Sequence, residues 1–400
     1  YTHQHTIVDN FAPNPGTHTY FPHYLQAAGY KTGFFGKWHM GDESNEPQPG
    51  FDHWESFKGQ GVYYGPLLNI NGKEIQYSDD VYTADLLTQH AINWMNEQDP
   101  DQPCFVYLSH KSVHQEFFPA KRHEGIYQGN KIKLPPTYEQ TKTGAYKELK
   151  WPEWVKNQRI SWHGVDYMYH KSGSIHELVT DYCETLMGVD DSIGAILDYL
   201  ENAELSENSL VIYMSDNGFS WGEHGLIDKR HFYEESARVP LLMRFPDAIK
   251  KGQINTSLIS NADIAPTILD FARAEMPDYF VGESAKETFN HIESTSKRKK
   301  IFYEYYWEYD FPMTPTTFGV RDSQYKLIRY HGVWDRNELY DLKNDPYEMH
   351  NLIESPIHQE RIISMTSELY DWLKNTNGML IPLKRTIKYR WGDYKHMQQY

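Results

Sequence analysis

Apolar residues in this 400-residue chain fall into short continuous runs, separated by longer stretches in which they recur every three or four positions. Thr32-Gly33-Phe34-Phe35-Gly36, Cys104-Phe105-Val106-Tyr107-Leu108, Ser209-Leu210-Val211-Ile212-Tyr213-Met214 and Val239 to Phe245 are short enough to read as strands, the last three as buried ones. Helical spacing runs from Asp79 to Gln98, where Leu86, Leu87, Ile92 and Met95 make one stripe, and from Leu178 to Leu200. Another helix ends near Ala28-Gly29. Strands alternating with helices predict an α/β fold, a mostly parallel sheet flanked by helices. Ile301 to Tyr309 and Thr317 to Tyr330 are strand-like and precede a helix at Gln359 to Lys374, so a smaller C-terminal α+β subdomain is expected. The basic run Lys297-Arg298-Lys299-Lys300, read as a solvated turn, suggests a catalytic-type domain over 1–296, the subdomain over 297–380 and a basic tail over 381–400. From 115 to 172 the chain is polar and aromatic without a period, which at that length predicts a functional insertion.

Composition narrows the function classes. A net charge of −16 argues against a broad basic face for nucleic acid or an anionic membrane. No apolar run approaches the ~18 residues of a membrane span. Two cysteines, Cys104 and Cys183, make no disulfide framework and leave the redox compartment open. The 31 Tyr and 11 Trp suit sugar rings as well as a core.

Chemistry gathers at strand ends, where parallel sheets place their ligands. Lys37 and His39 follow the first strand. On extended backbone they point to one face, an arrangement suited to an oxyanion or, equally, to a solvated strand end. His110, Lys111 and His114 follow the second strand. There His114 is the better general-acid candidate, since histidine delivers protons near neutral pH. Ser215-Asp216-Asn217-Gly218 follow the third, and Asp216 and Asn217 offer oxygens of the type that Ca²⁺ or Mg²⁺ takes. Asp-Asn-Gly is also an ordinary turn, and two ligands do not fill a shell of about six oxygens. Lys229 would bring a second cation to the same anion, whereas His224 reads first as a structural residue.

These residues sit in recognisable surroundings. Gly29-Tyr30-Lys31-Thr32-Gly33-Phe34-Phe35-Gly36-Lys37-Trp38-His39 resembles the second signature of the sulfatase family. Ser215 to Gly218, Gly222-Glu223-His224-Gly225-Leu226 and Lys229 resemble its metal and lysine segment. Leu108 to His114 resembles the histidine segment of bacterial members, and Glu338 to Pro346 with Asn351-Leu352 their C-terminal subdomain.

The resemblance implies an alkaline-phosphatase-like fold and hydrolysis of sulfate esters by a formylglycine nucleophile beside a divalent cation, Ca²⁺ or alternatively Mg²⁺. By the same resemblance Lys37 and Lys229 clamp sulfate, His39 positions the nucleophile, His114 protonates the leaving alcohol, and Asp216 and Asn217 ligate the cation. His224 and Arg321 are expected to touch substrate. The C/S-x-P-S-R motif that yields formylglycine does not occur in the 400 residues, nor does the family's N-terminal Asp pair. The expectation is therefore a fragment that is inactive as it stands and leaves part of its core exposed. The rival readings are a phosphodiester or phosphonate hydrolase of the same superfamily and a non-catalytic binder of sulfated glycan. The expected partner is a sulfated small molecule or polysaccharide, with Lys121, Arg122 and Arg321 beside aromatic residues of the insertion and of Tyr305-Tyr306-Trp307-Glu308. Relatives suggest a periplasmic or secreted protein, and the oligomeric state is left open.

Overall fold

The computed structural model describes residues 1–380 except 13, 42–43, 143, 169–172, 290–297, 309 and 333. The domain boundary at 296/297 and the basic tail over 381–400 lie outside the described residues.

The strands are β1 (Lys31–Lys37), β2 (His53–Phe57), β3 (Leu67–Ile70), β4 (Lys73–Gln76), β5 (Cys104–Ser109), β6 (Val211–Met214), β7 (Leu241–Arg244), β8 (Ile301–Tyr305), β9 (Thr316–Arg321), β10 (Tyr325–His331) and β11 (Glu338–Asp341). The helices are α1 (Thr2–His5), α2 (Phe21–Ala27), α3 (Thr83–Asn96), α4 (Pro136–Lys142), α5 (Glu153–Gln158), α6 (Ile175–Asn202), α7 (Glu234–Ala237), α8 (Ile264–Ala272) and α9 (Gln359–Asn375).

The main sheet has the order β4-β3-β2-β1-β5, with β1 parallel to both β2 and β5 and an antiparallel β3–β4 hairpin at one edge. Alternation in β1 sends Phe35 toward α3, where it joins Phe57, Leu68, Leu87, Ala91 and Trp94. Phe34 takes the other face and stacks on Trp54 at 4.6 Å. The β3–β4 turn is Asn71-Gly72, both with positive φ, as a tight hairpin requires.

Helix α6 starts on a capping box, with the Glu177 amide donating to Ser174 Oγ at 3.2 Å and the Ser174 amide donating to Glu177 Oε2 at 2.7 Å. It packs on α3 through a Ser192–Thr88 hydroxyl contact of 2.6 Å.

Two expectations need correction. Strands β5 and β6 are half-buried rather than buried. Among the described residues each is paired along one edge only, β5 by β1 and β6 by β7, and Tyr107 and Leu242 are 45% and 59% exposed. The basic run is also not a solvated turn at Arg298. Its guanidinium is bound to the buried Asp263 carboxylate at 2.5 and 2.9 Å, and Lys300 is paired with Glu368.

The C-terminal sheet, order β11-β10-β9-β8 and antiparallel throughout, packs Val320, Leu327 and Leu339 on Met365, Leu369 and Leu373 of α9. Its other face meets the insertion, where Trp151, Trp154 and Val155 cluster with Phe232, Tyr233, Ile328 and Tyr340. Asp335 accepts from the Glu153 and Trp154 amides at 2.8 Å each, closing the N-terminus of α5.

A buried ion cluster crosses the same junction. Lys326, fully buried, reaches Glu234 at 2.7 Å, Glu348 at 2.8 Å and the Phe232 carbonyl at 2.7 Å. Removing the ammonium strands the fully buried Glu348 carboxylate and leaves the half-buried Glu234 to Arg321 alone. Lys326→Ala is therefore expected to cost about 3–5 kcal/mol in urea unfolding, and a loss below about 1 kcal/mol would contradict this account.

Candidate active site

Three loops carry the candidate groups. Lys37 closes β1, which is held against β5 by the Ser109 hydroxyl donating to the Lys37 carbonyl at 2.9 Å. Gly36 is obligatory there, because with its φ of 114° a Cβ would stand 1.9 Å from the Ser109 carbonyl oxygen. His39 has a φ of 45°, so the chain has left the extended conformation and the same-face argument for Lys37 and His39 does not carry past the strand end.

After β5 the chain turns so that the His114 amide donates to the Lys111 carbonyl at 2.9 Å. Tyr63 Oη donates to the His114 carbonyl at 2.6 Å. The His114 ring contacts the Gln115 carbonyl through Nδ1 at 2.7 Å. A carbonyl only accepts, so Nδ1 carries the proton and Nε2 is left as the unprotonated nitrogen of the neutral ring. Burial first, then the charges of Lys37 and Lys229, with a smaller push from Lys111, lower the His114 pKa to about 3.

Beyond β6, Ser215 Oγ donates to the Asn217 carbonyl at 2.7 Å and the Asn217 amide donates to Asp216 Oδ1 at 2.8 Å. The Asn217 side-chain amide donates to the Gly218 carbonyl at 2.8 Å, which leaves its Oδ1 outside that bond. Lys229 has its pKa lowered by burial, partly offset by the Asp216 carboxylate.

The backbone of Lys229 is fixed by a frame that its own motif did not reveal. Its amide donates to Asp228 Oδ1 at 2.7 Å, and the same buried carboxylate takes Arg230 at 2.9 Å and Gln158 of α5 at 3.3 Å. The Arg230 guanidinium lies 3.2 Å over the Phe311 ring.

The positive charges of Lys37 and Lys229 thus both bear on the His114 ring, and the Asp216 carboxylate bears on Lys229. Two proposed substrate contacts do not join them. His224 is 2% exposed, stacks on Tyr233 at 4.0 Å and donates from Nε2 to the Glu348 carbonyl at 2.9 Å. Arg321 is committed to Glu234 at 2.7 and 2.8 Å. Arg122 likewise belongs to Asp85 and Asp191, at 2.6 to 2.8 Å. His110 is half-buried, contacts Ser192 Oγ through Nε2 at 2.9 Å and has its pKa lowered to about 4 by desolvation. Lys111, to which the sequence gave no role, is only 7% exposed.

Asp216 and Asn217 present donors of the right chemistry for a hard cation. Among the described residues, however, no group of three or more His, Cys, Asp or Glu could hold a metal. The two oxygens fall short of the six or more that Ca²⁺ takes, so these residues alone do not fit that cofactor. What the arrangement offers is two ammonium charges bearing on an imidazole that carries its proton on Nδ1.

An anion that offsets the lysines raises the His114 pKa. Affinity is then gained as pH falls through the bound-state value and lost as pH rises through it. Inorganic sulfate is expected to move the His114 midpoint upward in side-chain ¹⁵N NMR and to bind more weakly at higher pH in calorimetry. A midpoint unmoved at saturation would contradict this.

Comparison with known proteins agrees with the geometry. The family described as Sulfatase matches residues 1–274, and the one described as N-sulphoglucosamine sulphohydrolase, C-terminal, matches 222–375. The N-acetylglucosamine-6-O-sulfatase of Bacteroides thetaiotaomicron is 32% identical, over 100% of this chain and 80% of that protein. The N-acetylglucosamine-6-sulfatase of Capra hircus is 28% identical over 68% of this chain, and the Extracellular sulfatase SULF-1 homolog of Drosophila melanogaster 26% over 65%. The matches span only 50% and 23% of those two longer relatives. A solved structure of a protein in complex with its substrate D-glucosamine-2-N,6-O-disulfate superposes with a TM-score of 0.82 at 29% identity, covering 94% of this chain and 86% of the other. A phosphonate monoester hydrolase from Silicibacter pomeroyi shares the fold, with a TM-score of 0.74 at 17% identity, covering 94% of this chain and 84% of that one.

Proposed function

We propose, on the premise that this chain belongs to the sulfatase family, enzymes of the alkaline-phosphatase-like superfamily that hydrolyse sulfuric esters, that its substrate is a 6-O-sulfated glucosamine-type sugar. The observation that carries the reading is the convergence of Lys37 and Lys229 on His114. The sugar class is supported by a relative named N-acetylglucosamine-6-O-sulfatase and by a solved structure in complex with a glucosamine disulfate. A relative named as extracellular supports export, and no helix among the described residues is long and apolar enough to cross a membrane.

In this reading the two ammonium groups hold the non-bridging sulfate oxygens. Their charge, once offset by the ester, no longer opposes protonation of His114, so Nε2 gains a proton as substrate binds. As an oxygen nucleophile bonds to sulfur, the bond from sulfur to the bridging oxygen breaks, the Nε2 proton passes to that oxygen, and the sugar leaves as its alcohol. The family's nucleophile derives from a C/S-x-P-S-R segment that the 400 residues do not contain. Hydrolysis is therefore assayed on the protein translated from the complete coding sequence.

That protein is expected to release inorganic sulfate from N-acetylglucosamine 6-sulfate, measured by ion chromatography. Lys37→Ala or Lys229→Ala should lower kcat by about a hundredfold or more, the cost of one lost charge-stabilising donor. A preference for an aryl phosphonate over the sulfated sugar would overturn the substrate assignment.

A further inference from the structure

Lys111 has no part in the chemistry above, yet it is an ammonium buried at the edge of that site. Its Nζ lies 4.5 Å from the centroid of the Tyr63 ring and 3.5 Å from the Gln115 carbonyl oxygen. That oxygen is the one to which His114 Nδ1–H donates at 2.7 Å. Tyr63, whose face covers the ammonium, also donates its hydroxyl to the His114 carbonyl at 2.6 Å. Ammonium and imidazole are therefore built into one turn, sharing one acceptor and one aromatic clamp. A carbonyl has two lone pairs and accommodates both donors, but a second positive charge on the ring would face the first across that oxygen.

We propose that Lys111 is a positioning residue that governs when His114 takes up its proton: from behind the ring it opposes the imidazolium, so that protonation waits for an anion on the opposite, Nε2 side. The proposal rests on the reading of His114 as the proton donor. Burial lowers the Lys111 pKa to about 8, with the exposed Glu116 carboxylate acting the other way, so the ammonium is mostly charged at neutral pH. The charges bearing on His114 are Lys37 from the end of β1, Lys229 from beyond β6 and Lys111 from its own turn. Lys37 and Lys229 are expected to contact the anion and lose their effect when it binds. Lys111, held at the Gln115 carbonyl that Nδ1–H also uses, keeps its own. The consequence is a more acidic imidazolium in the complex, hence a better donor to an alcohol oxygen.

The test compares the parent protein with Lys111→Met, Lys111→Gln and Lys111→Arg. Lys111→Gln keeps a donor for the Gln115 carbonyl without the charge, which separates charge from packing should the methionine variant fold poorly. The probe is inorganic sulfate at saturation, and the readout is the His114 titration midpoint by side-chain ¹⁵N NMR. Both neutral variants are expected to raise the midpoint by about one pH unit, a roughly tenfold gain in proton affinity, and Lys111→Arg to restore it. A parent protein whose His114 midpoint responds to sulfate, with neutral variants that leave it where it was, overturns the role of Lys111 alone. A parent midpoint indifferent to sulfate overturns that role together with the donor assignment of His114.

Discussion

Two like charges bear on one imidazole in a half-buried site. Lys37 and Lys229 both oppose protonation of His114, and each of the three is anchored at its backbone. Lys37 is held where β1 meets β5 at Gly36 and Ser109, Lys229 by the Asp228 carboxylate that also takes Arg230, and His114 by Gln115 and Tyr63. Charge that cannot relax outward is relieved by an anion moving in. A tetrahedral monoanion offers oxygens to both lysines at once, and the proton that the empty site refuses becomes available when it binds. Binding and acid catalysis are then one electrostatic event.

The distant parts of the chain serve that rigidity. The Asp228 frame draws in Gln158 from the insertion. The insertion is in turn wedged between this region and the C-terminal sheet by Trp151, Trp154 and the Asp335 cap of α5. Lys326, Glu234 and Glu348 tie the same sheet to the loop that follows Lys229. Glu338, whose carboxyl is raised to about 7 by burial, is bonded by the hydroxyls of Tyr233, Tyr330 and Tyr340. The antiparallel subdomain thus works as a buttress for the lysine loop.

Short apolar runs and helical stripes located β1, β5, α3, α6 and α9 to within a few residues, because each is governed by local period. Sheet neighbours are a non-local matter, so the half-burial of β5 and β6 was not legible. Lys37 and His114 were legible as candidates because they follow strands of the parallel sheet, and Asp216 because it follows β6; Lys229, well beyond that strand, was singled out by its Gly-rich, charged surroundings. Arg321 and Arg298 misled for one reason: a cation in sequence carries no sign of the carboxylate that tertiary structure assigns to it. Lys111 was overlooked for the opposite reason, since its burial under Tyr63 depends on a residue 48 positions earlier.

The central claim is that the sulfate of a 6-O-sulfated glucosamine sugar lies between Lys37 and Lys229 with His114 facing its bridging oxygen. A crystal structure of the complete protein with N-acetylglucosamine 6-sulfate tests it most directly. The account predicts sulfate oxygens within hydrogen-bond distance of both ammonium nitrogens, about 2.7–3.2 Å, and His114 Nε2 on the ester oxygen. A sulfate bound away from either lysine, or a sugar oriented with another hydroxyl toward His114, would contradict it.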